Sequence, residues 1–194
     1  MPRPREFVAT PAALRRLRRD PTMAALIRTH GPARWRLRRP YAALCGSIIS
    51  QQLSTKVART ILKRFRARFP TQDSLAKARL PALRAIGLSA QKSGYLRGIA
   101  RFAKTGGLRG LDRFDDEPLI EQLTALKGVG VWTAHMFLMF SLGRPDVWPI
   151  GDYGIQKGAQ QEYSVDGVAE LSALGDRFAP YRSAAAIYLW RAID

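Results

Sequence analysis

The sequence predicts an all-α protein on three observations: helix-start signals recur along the chain, apolar residues repeat at three- and four-residue spacing, and strand-like alternation is almost absent. Of the 194 residues, 46% are hydrophobic and 24% charged. That is enough apolar side chain for one sizeable core or two small lobes, and too much for intrinsic disorder. Thr10-Pro11 and Asp20-Pro21 each set a capping residue before a proline at the first helical position, predicting helices over 12–19 and 22–30 with Gly31 as the stop. Pro40 opens a mostly apolar segment to Ile49, where Ser50-Gln51-Gln52 interrupts a buried helix. From Ser54 onward, Val57, Ile61, Leu62, Phe65 and Phe69 recur at helical spacing. Lys56, Arg59, Lys63, Arg64, Arg66 and Arg68 lie mostly on the other side, so this helix has a basic face.

Shorter helices are predicted at 73–78 and 80–86, and Ser89 caps a run over 90–103 that ends at Gly106-Gly107. Asp115-Asp116-Glu117-Pro118 concentrates acid at the start of a helix over 119–126, where the macrodipole favours it. Lys127-Gly128-Val129-Gly130 then leads into a helix over 131–142, stopped by Gly143-Arg144-Pro145. Helices over 153–163, 165–178 and 180–193 complete the chain, with no internal repeat, low-complexity linker or evident domain boundary.

Thirty-two Lys and Arg against fifteen Asp and Glu give a formal charge of +17 and a pI near 11.1. Such a balance points to a polyanionic partner, nucleic acid first, although a membrane surface or ribosomal RNA would accept the same charge. The longest apolar stretch, 131–142, is broken by Thr133, His135 and Ser141 and falls short of the ~20 residues of a bilayer-spanning helix. Met1-Pro2-Arg3-Pro4-Arg5 leads into no apolar segment or cleavage site, so no secretory signal is expected and the cytoplasm is the expected location. A single cysteine, Cys45, excludes an internal disulfide, a four-cysteine zinc site and a four-cysteine iron–sulfur cluster, and reads as a small buried residue. His30 and His135 lack partners at metal-ligand spacing.

The segment from Leu123 to Phe137 is the most informative. Two apolar helices meet through a turn whose glycines, Gly128 and Gly130, permit positive φ and close backbone approach. Free N–H groups at both glycines and at the start of the second helix would point outward together, an anion site suited to a DNA phosphate. Thr133-Ala134 lets the helices pack closely. An ordinary αα-hairpin is the plain alternative, since glycine turns between helices are common.

On these residues the chain resembles the helix–hairpin–helix/GPD superfamily of DNA glycosylases. Leu126-Lys-Gly-Val-Gly-Val-Trp-Thr-Ala134 is similar to its hairpin, and Trp148-Pro-Ile-Gly151-Asp152 to its Gly/Pro-rich loop ending in aspartate. Ile48-Ile-Ser-Gln51-Gln52-Leu-Ser and Phe178-Ala-Pro-Tyr181-Arg182-Ser point to the 3-methyladenine DNA glycosylase II (AlkA-like) branch. The resemblance covers residues 36–194, with the hairpin over 119–142, and leaves 1–35 as a basic helical lead-in. Arg15, Arg16, Arg18 and Arg19 of that lead-in would touch DNA or the core. Longer relatives carry an N-terminal β-containing domain that this segment is too short to supply. The implied architecture is two-lobed and helical with the active-site cleft between the lobes, DNA lying across the hairpin, in a monomer.

The resemblance implies that Asp152 is catalytic: its carboxylate would stabilise the oxocarbenium character of the sugar and orient water. The plain alternative, a helix N-cap, is compatible with that role. An alkylated purine is already cationic and leaves without a second, protonating carboxyl. Superfamily members that also cut the backbone carry a Schiff-base lysine two residues after the second hairpin glycine, where this chain has Trp132, so the implied activity is monofunctional. Trp132, Tyr153 and Tyr181 correspond to base-pocket residues, with core packing as the alternative.

The implied DNA contacts are Gly128, Val129, Gly130, Thr133, Gln51, Gln52, Leu53 and Arg182, with either Gln52 or Leu53 as the wedge that fills the gap left by a flipped base. Carbonyls of Thr124, Leu126 and Val129 would hold a structural Na+ or K+. The expected substrate is an alkylated base of the 3-methyladenine type in duplex DNA. The alternatives are a non-catalytic DNA-binding module, or a glycosylase for uracil or an oxidised or mismatched base.

Overall fold

Local chemistry explains the first elements of the computed structural model, which describes residues 6–193 (of Thr55, the backbone alone). The Met1-Pro2-Arg3-Pro4-Arg5 reading lies outside them. Thr10 Oγ1 accepts the N–H of Ala13 at 3.1 Å and Asp20 Oδ1 that of Met23 at 2.9 Å, so each capping residue starts the helix its proline opens. In chain order the elements are β1 (Glu6–Val8), α1 (Pro11–Leu17), α2 (Pro21–His30), β2 (Arg34–Arg36), α3 (Pro40–Ser50), α4 (Thr55–Arg68), α5 (Gln72–Ala76), α6 (Leu80–Arg84) and α7 (Ala90–Lys104). These are followed by α8 (Asp116–Thr124), α9 (Val131–Phe137), α10 (Tyr153–Tyr163), α11 (Val168–Arg177) and α12 (Arg182–Ala192). A 3-10 turn lies at Leu111–Arg113, and a π turn at Leu138–Leu142 occupies the rest of the helix expected over 131–142. Among the described residues, no helix is long and apolar enough to cross a membrane.

The chain divides into two units. One comprises the described parts of Met1–Leu37 and Leu138–Asp194. Here β1 and β2 pair antiparallel, with Phe7 opposite Trp35 and their rings stacked at 4.0 Å. Strands of three residues are too short for alternation to show in the sequence, and this ribbon went unanticipated. Residues 6–35, the described part of the segment expected as a lead-in, share this unit with the C-terminal helices. The physical reason is burial: Leu14, Leu17, Met23, Leu26 and Ile27 are buried, and two helices this short cannot cover that apolar surface alone.

Helix α12 runs through the core of the unit, with Ser183 to Leu189 buried. Tyr188 is 0% exposed; its hydroxyl accepts the N–H of Ala33 and donates to the carbonyl of Gly31, both at 2.9 Å. Removing that hydroxyl would leave two backbone groups unmatched, at about 1–3 kcal/mol for each that stays buried. Arg16, of the cluster expected to touch DNA or the core, donates to the carbonyl of Ala179 at 3.3 Å.

The second unit is Arg38–Phe137. Its apolar centre is α3, whose Ala43, Leu44, Cys45, Ile48 and Ile49 are buried and which packs against α4, α7 and α9. Burial pushes the Cys45 thiol up to about 12, so it stays a protonated core residue.

Candidate functional site

In the second unit, the turn between α8 and α9 is closed by the Val129 N–H donating to the carbonyl of Leu126 at 3.0 Å. Gly128 has φ +87°, and a Cβ there would lie 2.2 Å from Cδ2 of Tyr95. Tyr95 therefore packs directly beneath the turn, and its hydroxyl accepts from Gln91 at 2.8 Å. Gly130 differs from the expectation: its φ is not positive, and a Cβ there would meet nothing within 4 Å. Only Gly128 of the pair uses the freedom of glycine, while the carbonyl of Gly130 accepts the N–H of Ala134 at 3.0 Å and opens α9. Val129 is 4% exposed, so its side chain is core and only its backbone can serve a ligand.

Two expected DNA contacts take internal roles. Gln51 Nε2 donates to the carbonyl of Gly128 at 3.0 Å and to Thr133 Oγ1 at 3.2 Å. Thr133 is 1% exposed. Gln51 and Thr133 thus brace the hairpin from within. The next residue, Gln52, is exposed with φ +55°, a left-handed conformation uncommon for a residue with a Cβ, whereas Leu53 is half-buried. Lys92, which sequence reasoning missed, donates Nζ to the carbonyls of Ile49 at 3.0 Å and Gln51 at 2.5 Å, tying down the C-terminus of α3. Desolvation lowers its pKa. Gln52, Lys92, Tyr95, Lys127 and Gly130 line an open hollow of about 530 Å3 beside the turn.

The backbone oxygens expected to hold a monovalent cation lie on the same turn. That of Leu126 accepts one N–H, leaving a lone pair, and carbonyl oxygens suit a hard cation. Among the described residues there is no group of three or more His, Cys, Asp or Glu that could hold a metal ion.

In the first unit, Asp152 caps α10. Its Oδ1 accepts the N–H of Ile155 at 3.0 Å and the indole N–H of Trp190 at 2.7 Å. Trp190 was not anticipated; its approach requires Gly154, where a Cβ would lie 2.7 Å from Trp190 Cδ1. The loop before Asp152 is fastened on both sides. Trp148 donates its indole N–H to the carbonyl of Leu171 at 2.9 Å, and the Asp152 N–H closes a turn onto Pro149 at 2.8 Å. Ser183 Oγ donates to the carbonyl of Arg144 at 2.7 Å and accepts the N–H of Val147 at 2.9 Å.

Arg182 was expected to contact DNA, but its Nε and Nη2 reach the two carboxylate oxygens of Asp146 at 2.8 and 2.9 Å. Asp146 also accepts the backbone N–H of Arg182 at 3.1 Å, capping α12 from a distance. This fork holds the loop and gives the Arg182 side chain an internal role. Of the expected pocket aromatics, Tyr153 is 77% exposed beside a hollow of about 430 Å3 between α10 and α11. Tyr181 is half-buried just before α12, and Trp132, in the other unit, is half-buried on α9.

Residues 45–174 match the family model described as HhH-GPD superfamily base excision DNA repair protein. The chain belongs to this superfamily. Among HhH-GPD relatives, DNA-3-methyladenine glycosylase 1 of Schizosaccharomyces pombe is 36% identical over 163 residues, covering 78% of this chain and 72% of that protein. A solved structure of S. pombe 3-methyladenine DNA glycosylase with abasic DNA matches with TM-score 0.85 and 33% identity, covering 93% of this chain and 95% of the other. The crystal structure of a DNA-3-methyladenine glycosidase from Bacillus halodurans matches with TM-score 0.80 and 35% identity, covering 97% and 92%. The mostly helical architecture is thus the HhH-GPD fold, as the sequence predicts.

Proposed function

We propose that the chain is a monofunctional DNA glycosylase that hydrolyses the N-glycosidic bond of alkylated bases, of the 3-methyladenine type, in duplex DNA as the first step of base excision repair. The observation that carries this reading is Asp152, whose carboxylate is fixed by Ile155 and Trp190 at the start of α10. The kinship with named 3-methyladenine glycosylases supports the substrate class. As the glycosidic bond breaks, the cationic base leaves neutral with the bonding electron pair, and positive charge develops on the sugar. The Asp152 carboxylate stabilises that charge and orients the water whose oxygen bonds to the sugar carbon and whose proton is released. Trp132 stands where a Schiff-base lysine would be needed, so the product is an abasic site in an uncut strand.

The turn at 128–130 binds a backbone phosphate through its N–H groups. Exposed and held in a left-handed conformation, Gln52 is favoured over Leu53 as the wedge. Tyr153 and Tyr181, in the unit that holds Asp152, offer ring faces to a cationic base. The carbonyls of Thr124, Leu126 and Val129 would hold a structural Na+ or K+ that neutralises the bound phosphate. The protein works as a monomer in the cytoplasm.

Single-turnover base release from duplexes carrying 3-methyladenine, 7-methylguanine or 1,N6-ethenoadenine tests this, with wild type beside Asp152→Asn. Release by wild type alone, with strands cut only after alkali, is the expected result. Salt-sensitive binding without release from any lesion would mark a binding module or a substrate outside the alkylated set.

A further inference from the structure

We propose that α4 is a second DNA-contacting surface, on which Lys56, Arg59, Lys63 and Arg66 form a stripe lying along the backbone phosphates that flank the target base. This rests on the duplex-binding part of the glycosylase reading. The four residues follow the spacing i, i+3, i+7, i+10. At 3.6 residues per turn they fall within about 80° of the helix circumference and extend over about 15 Å. A duplex of that length carries about four phosphates on each strand.

All four side chains are exposed, while Ala58, Ile61 and Phe65 bury the other side of the helix. No Asp or Glu lies within Thr55–Arg68. Some basic side chains elsewhere are matched internally, as in Lys104 with Asp73, Arg177 with Asp20 and Arg182 with Asp146. None of the four has an ion pair with the described residues. Like charges three and four residues apart disfavour a helix, so the stripe carries a cost that no ion pair with the described residues offsets and that a polyanion would relieve.

Position adds a second argument. Ser54, whose Oγ accepts the N–H of Val57 at 3.5 Å, caps α4 two residues after Gln52. The stripe therefore begins within a turn of the segment read as entering the duplex. It would lengthen the footprint on undamaged flanking DNA and hold the enzyme in register during search, with no part in the chemistry.

The test replaces all four with glutamine (Lys56→Gln, Arg59→Gln, Lys63→Gln, Arg66→Gln) in the full chain, with circular dichroism to confirm folding. A control variant changes the same net charge at other exposed positions of the same unit: Lys77→Gln, Arg79→Gln, Arg84→Gln and Arg109→Gln. Duplex affinity is measured against KCl, and base release at saturating enzyme. The stripe variant is expected to lower the log–log salt slope by about 3–4 and weaken binding alike for all sequences, since each lost phosphate contact removes about one unit. Its saturated release rate should equal wild type, and the control should lower the slope by less than about one. An unchanged slope, or equal drops in both variants, would overturn the stripe. Absence of salt-sensitive duplex binding by wild type would overturn it as well. Failure of wild type to release any base, with the stripe effect intact, would overturn only the glycosylase reading.

Discussion

Trp190 donates its indole N–H to Asp152 Oδ1 at 2.7 Å, on the same oxygen that accepts the N–H of Ile155 at 3.0 Å. Two donors thus fix the orientation of the carboxylate at the N-terminal end of α10. Trp190→Phe keeps most of the ring volume and removes one donor. A hydrogen bond to a charged group contributes about 1.5–3 kcal/mol, so single-turnover release should slow roughly 10- to 100-fold. Affinity for undamaged duplex should not change. An unaltered release rate would make Trp190 a packing residue only.

The two hairpin glycines should separate experimentally. At Gly128 a side chain meets both a positive φ and the Tyr95 ring. Gly128→Ala should cost about 2 kcal/mol or more, a drop in Tm of roughly 4–8 °C for a chain of this size. Gly130→Val adds a side chain into open space on ordinary backbone, and should leave Tm nearly untouched. It should nonetheless weaken duplex binding several-fold at every sequence, because the branched side chain stands where a phosphate would approach. Wild-type affinity in Gly130→Val would remove the turn from the DNA interface.

Lys92 holds the last carbonyls of α3, and the turn it secures presents Gln52. Lys92→Met keeps the aliphatic stem and loses both bonds. If the lysine positions the wedge, single-turnover release should fall about tenfold, corresponding to ~1.4 kcal/mol, while affinity for undamaged duplex holds. Lys92→Arg should restore part of the rate. Parallel losses in Tm and rate, without rescue by arginine, would indicate a purely structural tie.

What the sequence disclosed and what it hid divide by range. Thr10, Asp20, Ser89 and Asp152 cap helices through bonds to residues three positions on, and such signals survive in a bare sequence. The contacts that build the candidate site span much greater separations. Trp190 meets Asp152 across 38 residues, Gln51 reaches Gly128 across 77, and Tyr188 reaches Gly31 across 157. No local pattern encodes them. Lys92 reads in isolation as one more cation on an amphipathic helix, and Thr133 as a polar residue near a turn. Only packing shows that the first caps α3 and that the second is sealed beneath Gln51.

His135 provides the pH-dependent test. It is half-buried on α9, and burial lowers its pKa from the ordinary 6.5, opposed more weakly by the charge of Asp116. Because its folded pKa lies below the unfolded one, the unfolded chain binds more protons between the two values, and stability rises with pH across that interval. Above 6.5 the histidine is neutral in both states and has no effect. Below it, protonating the unfolded chain pulls the equilibrium away from the fold. Urea midpoints at pH 7.5 and pH 5.5 should therefore differ more in wild type than in His135→Gln, which has no proton to gain. Carboxylates with folded pKa values in that range act alike in both proteins and cancel in the comparison. Equal pH dependence in the two would show that the imidazole is hydrated well enough to protonate in place.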